Sequence, residues 1–133
     1  VRTKTHVAVG CVLLTAVAGC GEELGATPIA HVAVEGRVTD GSKPVAGGWI
    51  EFLPVDGTTG HLRSAPLGAD GSFRVTGLGS GPHVVRLVRP SSPRVEAMFQ
   101  QFASPIRVAV AAGAELGIDL ARERLRARTG GAL

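Results

Sequence analysis

From His31 onward the chain alternates apolar and polar residues with a period of two, and turn-forming residues break the alternation every eight to twelve positions. A period of two sends successive side chains to opposite faces of an extended strand, so each run buries one face and solvates the other. Short alternating runs joined by frequent turns specify a sandwich or barrel, and no helical run between them is long enough for a parallel crossover. In "HVAVEGRV" Val32, Val34 and Val38 share one face, and Ala33, Glu35 and Arg37 the other. In "WIEFLP" Ile50 and Phe52 share a face with Val45 behind them, Trp49, Glu51 and Leu53 lie opposite, and Pro54 ends the run. "HLRSAPL" reads as a weak edge strand because of Pro66. Phe73, Val75 and Leu78 point one way, and "HVVRLVR" separates His83, Val85 and Leu87 from Val84, Arg86 and Val88. "PIRVAV" (Ile106, Val108, Val110) and "ELGIDL" (Leu116, Ile118, Leu120) flank "AAGA" and read as a hairpin. The 133 residues suffice for one domain of ordinary size. The expectation is therefore an all-β fold, a single antiparallel β-sandwich of about seven strands with Greek-key connections over residues 31–121.

Two stretches interrupt this pattern. "PSSPRVEAMFQQFAS" is a long connection in which Val95, Met98, Phe99 and Phe102 fall at i, i+3, i+4 and i+7, predicting one or two helical turns laid across an open end of the sandwich. "GADGSFRVTGLGSGPHVVRLV" carries a glycine cluster that invites a phosphate-loop reading. A dinucleotide fingerprint must open a helix whose N-terminus meets the phosphates, whereas here Pro82 and a second alternating run follow. The glycines are turn chemistry, two turns that set Phe73, Val75 and Leu78 opposite Val85 and Leu87 in register. Asp70-Gly71 is likewise a turn, since Gly68 and Ala69 offer none of the side-chain oxygens a calcium loop needs.

The first nineteen residues carry Arg2 and Lys4, then an apolar run from Val7, then small residues, the pattern of an export signal too short to span a bilayer. Val17, Ala18, Gly19 and Cys20 resemble the lipobox of bacterial lipoproteins, which implies cleavage before Cys20, diacylglyceryl modification of its thiol and acylation (palmitate or a similar chain) of the new N-terminus. Two or more acyl chains anchor a protein stably without spanning the membrane. Residues 20–30, "CGEELGATPIA", form a polar tether. Gly21, where an aspartate favours inner-membrane retention, points to the outer membrane, with the domain on the periplasmic or cell-surface side. Cys11 leaves with the signal, so the exported domain has no disulfide and rests on its core.

Between Cys20 and Ala121 eight basic residues face ten acidic ones, which excludes a nucleic-acid-binding face for the sandwich. The net positive charge sits in residues 122–133, where Arg122, Arg124, Arg126 and Arg128 stand against Glu123 alone. This segment reads as a solvated basic tail. The alternative is contact with anionic lipid headgroups, at about 1 kcal/mol per charge.

"VEGRVTDGSKPVAGGWIEFLP" and "GADGSFRVTGLGSGPHVVRL" resemble the opening strands and Asp-Gly turn of carboxypeptidase regulatory-like domains, a branch of the transthyretin-like sandwiches. Gly36-Arg37-Val38, Lys43-Pro44-Val45-Ala46-Gly47, Ile50, Phe52, Asp70, Gly71, Phe73, Leu78 and Gly81 carry the resemblance. His83 stands where the family usually has an aromatic, at the edge of the core, and Ser80-Gly81-Pro82 departs from the usual proline-glycine order. Small lipoproteins built of a lipobox and one such domain lack any assigned chemistry, so the resemblance implies a non-enzymatic module. Hydroxyisourate hydrolases and intradiol dioxygenases, catalysts on similar sandwiches, depend on tyrosine, and this chain has none. No G-x-S-x-G elbow or S-x-x-K pair supports a serine nucleophile. His31, His61 and His83 lie far apart on separate runs, unlike the paired spacing of metal ligands. No catalytic residue, cofactor or metal is expected.

What remains is Cys20 as the lipidated residue and Trp49 as a candidate ligand contact. Alternation places Trp49 opposite the core, where it either stacks on a partner or is covered by a loop such as residues 94–102. The expected function is protein interaction or an envelope structural role, with an unidentified protein or surface polysaccharide as partner beside the membrane. The alternative is carbohydrate recognition through Trp49.

Overall fold

The computed structural model describes residues 30–92 and 94–130, so the signal segment, Cys20 and nearly all of the tether lie outside the described residues. The elements are β1 (His31–Asp40), β2 (Lys43–Pro44), β3 (Trp49–Pro54), β4 (Arg63–Pro66), β5 (Ser72–Gly79), β6 (Gly81–Val88), a 3-10 turn (Ala97–Phe99), β7 (Ile106–Val110), β8 (Glu115–Asp119) and α1 (Leu120–Arg128). They form two four-stranded sheets. In the first, β1 pairs antiparallel with β5 and β2 and parallel with β8; the second runs β4-β3-β6-β7, all antiparallel.

The faces read from alternation are the faces found. Val34, Val38, Phe73, Val75 and Leu78 from the first sheet meet Ile50, Phe52, Val85 and Leu87 from the second in one buried cluster. Each such fully buried side chain contributes about 1.5–3 kcal/mol relative to an exposed one. Phe52 and Phe73 cross the middle with ring centroids 5.8 Å apart.

Strand partners differ from the expectation in two places. β7 and β8 are not a hairpin: β7 pairs with β6, while the Ala111–Ala114 turn carries the chain to the other sheet, where β8 lies parallel to β1. A parallel pair needs a long crossover, and here the second sheet itself supplies it. Gly36 permits the close approach, because a Cβ there would stand 2.1 Å from the Leu116 carbonyl oxygen. β5 and β6 also belong to different sheets, so Phe73, Val75 and Leu78 meet Val85 and Leu87 across the core rather than along a ladder. The glycine cluster makes this corner, with a Cβ on Gly79 falling 1.8 Å from the Thr59 carbonyl oxygen.

The C-terminus also departs from the reading. Residues 122–128 are not a solvated tail but most of α1, and Leu120 is the first helical residue rather than the last of a strand. Asp119 caps the helix by accepting from the Ala121 amide at 3.0 Å, and its carboxylate also accepts from the Gly41 amide at 2.9 Å. Leu120 and Glu123 are buried, and Arg126 pairs with Glu123.

The connection from β6 to β7 closes the same end of the sandwich. Phe99 on the 3-10 turn is buried in the core, with Val95 and Met98 half-buried beside it. Phe102 breaks the predicted apolar stripe and points outward, 59% exposed, because the turn is 3-10 and does not continue for a second α-helical turn. Arg124 ties this closure together, donating to Glu96 on the connection and to Asp40 at the end of β1. The Arg124 guanidinium holds the Glu96 carboxyl below its ordinary value, through their hydrogen bond before any longer-range attraction.

Candidate recognition face

Register on the second sheet builds its outer surface. Trp49 lies between Pro66 of β4 and Val88 of β6, Glu51 between Ser64 and Arg86, and Leu53 beside Val84. Trp49 is 49% exposed, so no loop covers it. Two residues along β3, Glu51 accepts from Arg86 Nε at 2.5 Å, with side chains only 17% and 21% exposed. Phe102 accounts for that shielding: its ring lies over the Arg86 guanidinium, 3.6 Å from ring centroid to Cζ, a cation–π geometry. The face thus presents two aromatic side chains around a shielded, oriented ion pair on a rigid sheet. Such a surface suits stacking and hydrogen-bonded recognition.

The histidines stay apart. His31 and His61 are exposed, and His83 is fully buried in the core rather than at its edge. Gly81 has a carbonyl that can only accept, so Nδ1 of His83 donates to it at 3.0 Å. The ring meets Phe52 edge-on at 6.3 Å, the contact an aromatic at this position would make, and its Nε2 has no partner. Among the described residues no three His, Cys, Asp or Glu side chains converge. Asp70 belongs to its turn: it accepts from the Ser72 amide and hydroxyl at 3.1 and 2.5 Å and pairs with Arg37. Those Ser72 hydrogen bonds, followed by attraction to Arg37, hold its carboxyl below the ordinary range. A groove of about 960 Å³ along the first sheet is walled in part by Glu35, Arg37 and Arg74, whose charges are engaged in the exposed pairs Arg37–Asp70 and Arg74–Glu35.

Alternation alone located Trp49, Glu51 and Arg86 on an outward face, but the Phe102 contact joins residues sixteen positions apart through an irregular connection that periodicity does not reach. No described helix is long and apolar enough to cross a membrane.

No family model matches this chain. No curated protein matches it either. Among solved structures, the crystal structure of a DUF3823 family protein from Parabacteroides merdae is similar, with 15% identity and a TM-score of 0.51 over 69% of this chain. The matched region spans 46% of that protein, less than half its length, and at this identity the likeness is one of fold.

Proposed function

We propose that this protein is a non-enzymatic, lipid-anchored β-sandwich of the carboxypeptidase regulatory-like type, working outside the cytoplasm as an interaction module of the cell envelope. The observation that carries the reading is Trp49, held half-exposed on a rigid sheet beside the Phe102–Arg86–Glu51 cluster. Exposed tryptophan and arginine on a preorganised surface are the residues that most often anchor interfaces. The signal-like N-terminus and the lipobox at Cys20 support anchoring, to the outer membrane in the case of Gly21. The tether enters at His31, the end of β1 opposite Asp40, and Trp49 lies at the Asp40 end. A ten-residue strand spans about 33 Å, so the Trp49 end stands off from the point of attachment.

Crosslinking in cells followed by mass spectrometry of captured neighbours tests the module. A defined neighbour lost on Trp49→Ala is expected, with a stability cost of about 2 kcal/mol for the half of the side chain that is buried and an unchanged circular-dichroism spectrum. Equal capture by both proteins refutes the assignment of the face. The half-exposed Trp49 also favours a second reading, stacking on sugar rings of a surface polysaccharide. A glycan array with the same pair of proteins decides it. Fatty-acid analogue labelling that survives Cys20→Ser would remove the anchor from the proposal.

A further inference from the structure

Charge on the described domain is unevenly placed. At the end where β1 finishes and α1 begins, each carboxylate is engaged within the fold: Asp40 and Glu96 by Arg124, Glu123 by Arg126, Asp70 by Arg37, and Asp119 by the Ala121 and Gly41 amides. Lys43, Arg89, Arg94, Arg122 and Arg128 stand at the same end, exposed and without an ion pair among the described residues. The opposite end has no such excess: Arg107 pairs with Asp56 and Arg74 with Glu35, and Arg63, which donates to the Gly77 carbonyl, is offset by the exposed Glu115. Arg89 is moreover held with φ at +49°, a left-handed conformation that non-glycine residues rarely adopt. This end thus sets eight cations against five carboxylates, a net charge of +3, and leaves five of the cations exposed without an ion pair among the described residues.

We infer that this end binds a linear anionic polysaccharide. The five cations are spread over β2, the β6–β7 connection and α1, which fits a repeating polyanion better than a single small ion. Arginine forks match carboxylate, sulfate and phosphate groups on such a chain. An anionic bilayer fits less well: Leu125 is the one exposed large apolar residue of α1, and an interfacial helix needs an apolar face. A protein partner fits less well too, because interface cores are mainly apolar, whereas here the unpaired cations are spread over three separate elements. The choice of polysaccharide over nucleic acid rests on the proposed location outside the cytoplasm; the cation surface adjoins the Trp49 face, since Arg89 follows Val88, the register partner of Trp49.

The test measures binding of the full chain to polygalacturonate, with neutral dextran, phosphatidylglycerol vesicles and duplex DNA as parallel probes. Arg122→Ser/Arg128→Ser removes two exposed cations that make no ion pair or side-chain hydrogen bond among the described residues, and Ala111→Glu/Ala112→Glu makes the same change of net charge at the other end. Polygalacturonate binding should weaken by at least about tenfold between roughly 50 and 200 mM salt, as counterion release requires. It should fall by about tenfold or more in the arginine double variant and stay near wild type in the alanine one. Dextran binding of equal strength, a preference for vesicles or DNA, equal loss in both double variants, or no binding overturns the inference. Labelling at Cys20 and crosslinking at Trp49 fail separately from this measurement.

Discussion

Alanine at Gly36 should break the parallel pairing of β8 on β1, and the size of the effect follows from three distances. The new Cβ would lie 2.1 Å from the Leu116 carbonyl oxygen, 3.0 Å from its carbon and 2.7 Å from Cζ of Phe73. The phenyl ring can rotate away, but the carbonyl belongs to the ladder that aligns Glu35–Thr39 with Glu115–Asp119. An ordinary contact requires the strands to separate by about 1 Å, and overpacking of this kind costs about 1–3 kcal/mol. Separation also loosens Ile118, 3% exposed, whose burial contributes about 1.5–3 kcal/mol in full. About 3 kcal/mol of destabilisation is expected, or roughly 12–24 °C in Tm for a domain near 100 residues. Gly117 supplies the control, one residue along the same ladder with nothing within 4 Å of its Cβ position. Gly117→Ala should be neutral or stabilising by up to about 1 kcal/mol, since glycine in a strand interior carries an entropic cost. Urea unfolding of both variants gives the two free energies directly. Equal stability of the two would refute the parallel pairing, because in a β7–β8 hairpin Gly36 would not face Leu116.

Three further outcomes follow from the core and its closure. His83→Phe keeps the edge contact with Phe52 and removes the unpartnered Nε2. Relief of the orphan, about 1–3 kcal/mol, should outweigh the lost hydrogen bond to Gly81 at about 1 kcal/mol, so a rise in thermal midpoint is expected and a fall contradicts the reasoning. Glu96 has its carboxyl lowered by Arg124, so its contribution to stability is complete above the ordinary glutamate value of about 4.3 and is lost as pH falls through the lower folded value. Urea midpoints between about pH 3 and pH 6 should drop more steeply for wild type than for Glu96→Gln, and parallel curves would remove Glu96 from the acid response. Asp119→Ala uncaps α1 and frees the Gly41 amide, so it should cost about 1–2 kcal/mol and reduce the helical circular-dichroism signal.

The helix was legible in principle. Asp119 followed by Leu-Ala-Arg-Glu-Arg-Leu is a cap before good helix formers, a pattern obscured when the arginines are read only as charge. The recognition face was legible in half: alternation turned Trp49, Glu51 and Arg86 outward, yet which of them meet depends on register, and Phe102 arrives from an irregular connection.

Residue alternation alone sets which face of each strand is buried. Val34 and Val38, Ile50 and Phe52, and Val85 and Leu87 had to point inward together, because side-chain direction repeats every two residues whatever the strand pairs with. The strand partners come from packing between distant parts of the chain. A short glycine- or alanine-rich turn serves equally to fold a strand back within its sheet or to carry it across the core, and local sequence does not separate the two. The choice at β5–β6 and β7–β8 was made by contacts distant in the chain: Gly79 against Thr59, and Gly36 against Leu116, where the absence of a side chain lets two backbones meet.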